Sequence, residues 1–217
     1  MAGSPIDVLS RIVGGVLASA TNVLGAASGR IKPLHPGGEL RRGTVTRLGD
    51  ASATGVPWLD EPGRDDVLVR VSRAIGLPRT LPDIYGVALR VHRDGAPGDL
   101  LFASTGSGRL TRFVLTPTRS ASGRPLTTLL PYRSPSGAVL LAVVPESEST
   151  FGLYWARPAG SWVLFGRLEL GEPLGDDTGV SFDPLLHVLS GLGNYAWVNR
   201  LREPAYWAAR HRTHRRA

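Results

Sequence analysis

The stretch DVLVRVSRAIG, residues Asp66–Gly76, alternates apolar and polar side chains with the two-residue period of a β-strand. One face of this strand carries three valines, and the other carries Leu68, Arg70 and Ser72. A face of this kind usually meets solvent. The alternative is a cavity face, where Arg70 would meet an anionic ligand group and Ser72 would orient another side chain. The pattern predicts an antiparallel sheet and leaves the role of its polar face open.

Eight further stretches with strand-like composition precede or follow this strand in the sequence. They are separated by turn signals rich in Gly, Pro, Asp and Ser. They are Leu40–Gly49, Tyr85–Arg93, Asp99–Thr105, Arg112–Thr118, Thr127–Arg133, Ala138–Pro145, Thr150–Ala156 and Trp162–Leu170. Regularly spaced strands joined by hairpin-like turns are typical of antiparallel barrels and sandwiches. Together with helical segments at both ends, they predict an α+β fold built on an antiparallel β-barrel of about eight strands.

The two ends of the chain differ from this β-rich body. In residues 1–30 the apolar side chains recur at helical spacing, which predicts an amphipathic helix and not an export signal. From about Gly171 a loop leads into helix-compatible sequence and an arginine-rich tail. We therefore expect one structural domain, with the N-terminal helix over 1–30, the barrel over 31–170, and a C-terminal loop, helix and tail over 171–217.

Composition excludes several kinds of chemistry. The chain of 217 residues contains no cysteine, which rules out disulfides, thiolate metal sites and cysteine nucleophiles. Its net charge of +7 owes much to the tail Ala209–Ala217, which is more typical of a solvated end than of a nucleic-acid arm. No apolar run is long enough to span a bilayer. We expect a soluble, cytoplasmic protein with no membrane partner.

Two other places carry candidate chemistry. His35 lies in a Gly- and Pro-rich loop before the first strand, where a histidine is usually a surface residue but can act as an acid–base group if it points into a barrel mouth. Arg202 and Tyr206 are four residues apart and share a face of a predicted helix. They are either a packing pair or a site where the guanidinium favours the phenolate, a hard anionic ligand that suits ferric iron.

In their order and spacing, these segments resemble the haem catalase family. Five collinear stretches carry the resemblance: LHPGGELRRGTVT (34–46), VLVRVSRAIG (67–76), LPDIYGVALRVHRDGAPGDLLF (81–102), SFDPLLHVLSGL (181–192) and REPAY (202–206). They are similar, in turn, to the family's essential-histidine segment, its Val-Arg-Phe-Ser strand, and its Asp-x-x-Gly-x-Ala stretch leading to an Asp-Leu pair. The last two are similar to its Phe-Asp-Pro segment and its Arg-x-x-x-Tyr motif.

The resemblance implies a haem b cofactor with a distal side built from five residues. His35 would move a peroxide proton, and Ser72 would hold the His35 ring by a hydrogen bond. Arg70 would pair with a haem propionate, and Lys32 would stand where catalases have a haem-contacting arginine. Phe102 and the strand interiors would supply apolar wall against the porphyrin.

On the proximal side, the resemblance implies that Tyr206 is the axial iron ligand and that Arg202 keeps it anionic. The chain departs from the family on the distal side, because no asparagine follows the Asp99-Leu100 pair. In its place the sequence offers only the hydroxyl groups of Ser104 or Thr105 as hydrogen-bond donors. The chain is also far shorter than catalases.

The leading hypothesis is therefore a haem-binding, catalase-like protein with peroxidase or peroxide-transforming activity on hydrogen peroxide or organic hydroperoxides. The alternative is a non-enzymatic catalase-fold barrel that binds a hydrophobic ligand or a protein partner. Under either hypothesis a homo-oligomer is a candidate assembly. A hydrolase such as a phosphodiesterase has less support, because the histidines are scattered and no Gly-x-Ser-x-Gly motif is present. Whether the protein is an enzyme stays open at this point.

Overall fold

The computed structural model of the protein describes residues 38–49, 54–78, 80–176, 180–200 and 202–203. Within them the chain forms nine antiparallel strands: β1 (Gly38–Arg47), β2 (Gly63–Arg73), β3 (Tyr85–Arg93), β4 (Ala96–Ser104), β5 (Leu126–Thr127), β6 (Tyr132–Ser134), β7 (Gly137–Pro145), β8 (Thr150–Ala156) and β9 (Val163–Asp176). The helical elements are α1 (Pro57–Asp60), a 3-10 turn at Thr111–Phe113, and α2 over 196–200 and 202–203. The helix predicted over 1–30 lies outside the described residues.

Eight of the strands close into a barrel in the order β5-β4-β3-β2-β1-β9-β8-β7. The short β5 completes the circle, because Leu126 and Thr127 pair with both β4 and β7. The remaining strand, β6, forms a hairpin with β7. The predicted antiparallel barrel of about eight strands is confirmed. Closure thus joins these eight strands into one continuous sheet.

The barrel interior is the main hydrophobic core, and the valine face of β2 points into it. Val67 and Val69 are buried there, with Val71 packed at the margin. The interior also holds Trp58 from α1, whose ring meets Phe165 edge to face with centroids 5.5 Å apart. Burying a large apolar side chain contributes about 1.5–3 kcal/mol, so the inward-facing residues account for much of the stability of the fold.

The predicted strand over Arg112–Thr118 does not form. The chain makes a 3-10 turn at Thr111–Phe113 and then touches the sheet through isolated bridges at Leu115 and Thr118. Arg112 is buried and turns its side chain back to the carbonyls of Gly108 and Arg157. An alternating pattern alone did not reveal this turn, because its stabilising contacts are distant in sequence.

Two other strand boundaries differ from expectation. The stretch Thr127–Arg133 is split, because Leu129 adopts a φ of 59° and Pro131 has no N–H to donate. In contrast, β9 continues past Leu170 to Asp176, through residues predicted to be a loop. Two irregularities in the β1–β9 register allow this extension, and they bring Asp176 opposite Glu39.

Gly166 offers a test of the tight packing between β1 and β9. A Cβ at Gly166 would lie 2.8 Å from the Thr46 carbonyl oxygen, an atom of the backbone. We expect Gly166→Ala to lower the free energy of unfolding by about 1–3 kcal/mol. Gly171→Ala in the same strand is the matched control, because the nearest atom would be 3.4 Å away. Equal denaturation midpoints for the two variants would contradict this account.

Candidate functional site

The polar face of β2 lies on the outer surface of the barrel wall, where β2, β3 and β4 pair side by side. Directly paired residues of antiparallel strands share a face. One cross-strand row therefore contains Arg70, Ala88 and Leu101, and the adjacent row contains Ser72, Gly86 and Ala103. Ser72 is 6% exposed and Ala88 is 8% exposed. Other parts of the chain therefore cover this outer face. It is not exposed to solvent, as the usual interpretation of a polar strand face would predict.

Part of the cover comes from the segment that precedes α2. Phe182 and Val180 form a small apolar cluster on the wall with four strand residues: Leu40, Leu68, Ala88 and Leu101. The stretches VLVRVSRAIG and SFDPLLHVLSGL, which are more than 100 residues apart in sequence, thus come together on one side of the barrel. Both stretches are among the five that carry the resemblance to haem catalases.

Phe102 lies on the opposite side of the sheet from Arg70. It pairs with Val87, points into the barrel core and is 5% exposed. Because side chains alternate along a strand, the β4 residue that shares the outer face with Arg70 is Leu101. Leu101, and not Phe102, is therefore placed to supply apolar contact on the outer face.

Asp99 is a buried carboxylate at the centre of a hydrogen-bond cluster. Arg90 donates to both of its oxygens, with Nε–Oδ1 and Nη2–Oδ2 distances of 2.7 Å. The backbone N–H of Asp183 donates to Oδ2 at 2.7 Å, and Nδ1 of His187 lies 3.0 Å from the same oxygen. A buried charge is tolerated when it is paired and fully hydrogen-bonded, and Asp99 meets both conditions.

The same cluster ties residues 181–187 to the barrel wall. Arg90 Nη2 donates to the Ser181 carbonyl at 2.6 Å, and its guanidinium lies 4.8 Å from the centroid of the Phe182 ring. The backbone N–H of Asp99 donates to the His187 carbonyl at 2.8 Å. Side chains and backbone therefore hold this segment at several points, and the segment leads directly towards α2.

Sequence reasoning missed the roles of Arg90, Asp99 and His187. A signal for two of them was present in the Asp94-Gly95 dipeptide, where both residues adopt positive φ. Such a two-residue hairpin turn fixes the register of its strands. Counting outward from this turn places Arg90 opposite Asp99. No comparable signal exists for His187, because it reaches the pair through tertiary folding.

We expect Asp99→Asn to lower the free energy of unfolding by about 3–5 kcal/mol, because it leaves the Arg90 charge without its buried carboxylate. Urea denaturation measures this change. The matched control is Glu61→Gln, which breaks the exposed pair between Glu61 and Arg93 and should cost less than about 1 kcal/mol. A similar cost for both substitutions would show that Asp99 does not anchor the segment.

Arg202 reaches from α2 to the barrel, where it lies beside the hydroxyl of Tyr132. Its Nη2 donates a long hydrogen bond of 3.4 Å to the Thr128 carbonyl. The Tyr132 hydroxyl and Arg202 Nη1 are both buried, and within the described part of the chain neither has a partner that meets the geometric criteria for a hydrogen bond. Burial raises the pKa of Tyr132, and the nearby Arg202 charge opposes this rise without cancelling it. Tyr132 is therefore a neutral phenol at neutral pH.

This burial predicts a pH dependence of stability that Tyr132→Phe should weaken. The unfolded phenol ionises at about pH 10, whereas folded Tyr132 keeps its proton to higher pH. The contribution of protonated Tyr132 to the free energy of unfolding is therefore intact below about pH 10. As the pH rises further this contribution is lost, by at most ~1.4 kcal/mol per pH unit. The measurement is denaturant unfolding at pH 8 and pH 11. Tyr154→Phe, on β8, is the control and should leave the alkaline decline as it is in the wild type.

The residues that follow the Asp99-Leu100 pair on β4 offer no carboxamide, and Ala103, which shares the outer face with Leu101, has no hydrogen-bonding side chain. The two hydroxyl groups considered as substitutes are both occupied within the barrel. Ser104 Oγ donates to the Thr116 carbonyl at 2.8 Å and accepts from the Tyr85 N–H at 3.1 Å. Thr105 is fully buried and donates to a neighbouring carbonyl. Both hydroxyl hydrogens are therefore already donated to carbonyl groups of the chain.

Three predicted site residues, Lys32, His35 and Tyr206, lie outside the described residues. Their contacts with Ser72, with Arg202 and with any cofactor stay predictions. In the described part of the chain, no group of three His, Asp or Glu side chains is arranged to hold a metal ion. The helices described there are all too short or too polar to cross a membrane.

Most of the chain superposes on solved catalases. A fungal catalase matches with a TM-score of 0.55 and 12% identity, covering 81% of this chain and 58% of that catalase. Catalase A from Saccharomyces cerevisiae matches at 0.56 and 11%, covering 83% and 63%. A bacterial catalase matches at 0.56 and 11%, covering 84% and 60%. The chain has a catalase-like fold.

This catalase-like chain spans about three fifths of the length of the solved catalases that it matches. No protein-family model and no curated protein matches its sequence. Identity of this size establishes the fold and not the chemistry, because one fold can host several functions. The function must therefore be argued from the outer face of β2–β4 and from the residues gathered around it.

Proposed function

We propose that this catalase-like protein binds haem against the outer face of β2–β4 and catalyses slow, peroxidase-type reactions of hydrogen peroxide or organic hydroperoxides. The observation that carries this proposal is the face itself. It combines half-buried Arg70 and buried Ser72 with the small residues Gly86, Ala88 and Ala103. Small side chains let a flat ring approach the strand backbone closely.

The residues of this face suit the two parts of haem, which are its charged propionate groups and its apolar ring. Arg70 would hold a propionate, because a guanidinium forms paired, charge-assisted hydrogen bonds with a carboxylate. Leu101 and Phe182, which lie in the same apolar cluster, would supply contact for the ring. The family resemblance adds Lys32 as a second haem contact and Tyr206 as the axial ligand, supported by Arg202.

Haem would supply the redox chemistry with peroxide, and the chain would control protons and access. We assign to a His35 ring nitrogen the task of taking a proton from one peroxide oxygen and returning it to the other. Ser72 is assigned to hold the His35 ring in position. Because Ser72 is buried on the outer face, it would position that ring away from bulk water.

The rate should be low compared with the fast dismutation expected of catalases. Ala103 offers no donor to a bound peroxide, and the hydroxyls of Ser104 and Thr105 are occupied elsewhere. Removing one preorganised donor from a reacting oxygen typically costs 10²–10³-fold in rate. The same observation supports the second candidate, a non-enzymatic catalase-fold barrel that holds haem or another planar hydrophobic ligand without turnover.

Titration with haemin tests the first step. We expect saturable binding with a Soret band and charge-transfer bands of tyrosinate-ligated ferric haem, and loss of those bands in Tyr206→Phe. Tyr154→Phe is the matched control and should bind haemin as the wild type does. Absence of saturable binding by the wild type would rule out a haem protein, and unchanged bands in Tyr206→Phe would rule out the axial assignment.

Peroxide consumption by the haem-loaded protein distinguishes the two candidates. If the peroxidase proposal holds, His35→Ala should lower the rate by about 10²-fold or more while the Soret band is retained. Ser72→Ala should lower it less, because Ser72 only positions the ring. Rates equal to free haemin in the wild type and in both variants would favour the non-enzymatic barrel.

A further inference from the structure

The connection between β2 and β3, described over residues 74–78 and 80–84, presents three large apolar side chains to solvent. Ile75 is 50% exposed, Leu77 is 38% exposed and Leu81 is 49% exposed. Single apolar residues on a protein surface need no explanation, but a group of them marks a surface that contacts something else. These three residues are here called the loop patch.

An ion pair holds the backbone of the loop patch in one place. The buried carboxylate of Asp83 accepts hydrogen bonds from the N–H groups of Ile75 at 3.0 Å and Leu77 at 3.1 Å. Arg73 Nη2 donates to the carbonyl of Leu81 at 3.0 Å, and Arg73 Nε lies 3.5 Å from the Asp83 carboxylate. All three patch residues are therefore attached through their backbones to one pair of side chains at this end of the barrel.

The described residues leave the loop patch without an apolar cover. Among them, neither the barrel core nor the cluster around Phe182 includes any of the three patch side chains. The hydrogen bonds to Arg73 and Asp83 engage backbone atoms, so they do not require apolar side chains at these positions. The apolar character of the patch therefore indicates contact with a surface outside the described residues.

The part of the chain that precedes β1 joins the barrel beside this patch. Gly38 begins β1 and pairs with Ser72, the residue before Arg73. Residues 1–37 are therefore connected to the barrel at the base of the β2–β3 connection. A coil as long as residues 18–37 has a root-mean-square span of about 25 Å, so a segment before residue 18 is within reach of the patch.

Residues 6–17 offer an apolar surface that suits the loop patch. Their apolar side chains recur at helical spacing. They are Ile6, Leu9, Ile12, Val13, Val16 and Leu17. A helix of this length is marginal in water and depends on the packing of its apolar face. The segment contains only one acidic and one basic residue, so it lacks the basic polar face that favours a lipid surface.

We propose that residues 6–17 dock on the loop patch of the same chain as an amphipathic helix. The covalent connection gives this segment a high effective concentration at the patch, which favours it over a second copy of the protein. Docking would hold both ends of residues 18–37, which contain Lys32 and His35. This consequence for the candidate site rests on the proposed function, whereas the docking itself requires no haem.

Thiol labelling of the full-length protein without haem tests the contact, because the chain contains no cysteine of its own. Leu9→Asp should raise the rate at which a maleimide labels Leu77→Cys by about tenfold or more, since a carboxylate on the apolar face opposes docking. Arg11→Asp, on the opposite face of the predicted helix, is the matched control and should leave this rate unchanged. Leu110→Cys, at an exposed position outside the patch, should be labelled equally fast in all backgrounds if the fold is intact.

Pairs of cysteines identify the occupant of the patch. Under mild oxidation, at least one of Leu9→Cys, Val13→Cys and Val16→Cys should form a disulfide with Leu77→Cys within one chain, whereas Arg11→Cys should not. A disulfide-linked dimer would instead identify a second copy as the occupant. Protection of Leu77→Cys only by anionic lipid vesicles would identify a membrane surface. Either result, or equal labelling rates with and without Leu9→Asp, would overturn the proposal.

Discussion

The buried pair of Arg90 and Asp99 is the interaction on which the arrangement of the candidate site depends. The β3–β4 hairpin places the two side chains opposite each other on the outer wall, and the pair then captures the backbone at Ser181, Asp183 and His187. The apolar cluster around Phe182, the burial of Leu189 in the barrel core and the bridge between Arg133 and Gly193 also hold the C-terminal segment. The closed barrel thus supplies a rigid wall, and the buried ion pair fixes residues 181–187 on its outer face.

The chain is about three fifths as long as the catalases it matches. The attached segment nevertheless covers the outer face of β2–β4, as part of the catalase-like fold. The wall retains an arginine and a serine on its outer face, with small residues around them. Ala103 adds no hydrogen-bond donor to this face, and the hydroxyls nearby are used inside the barrel. The proposed haem binding depends on the residues that this face has, and the proposed slow turnover depends on the donor that it lacks.

Arginine has two different roles in this molecule. Where the chain supplies a carboxylate, as at Asp99 or Asp65, the pair stabilises the wall or its attachments. Where it supplies none, as around Arg112, the guanidinium is held by carbonyls and by the Trp162 ring. Both kinds of arginine are therefore structural, and they differ in whether a carboxylate or carbonyl groups and a ring hold the charge.

The sequence by itself determined the antiparallel barrel, because period-two alternation in stretches such as Asp66–Ser72 and the turns between them are local properties. It also identified Arg70 and Ser72 as neighbours on one face. It misplaced Phe102, since one step along a strand reverses the side of the sheet, and it missed the contact of His187 with Asp99 and the burial of Arg112. Those contacts join residues distant in sequence, so only the tertiary structure, through strand register and barrel closure, decided which charges meet and which stay without a partner.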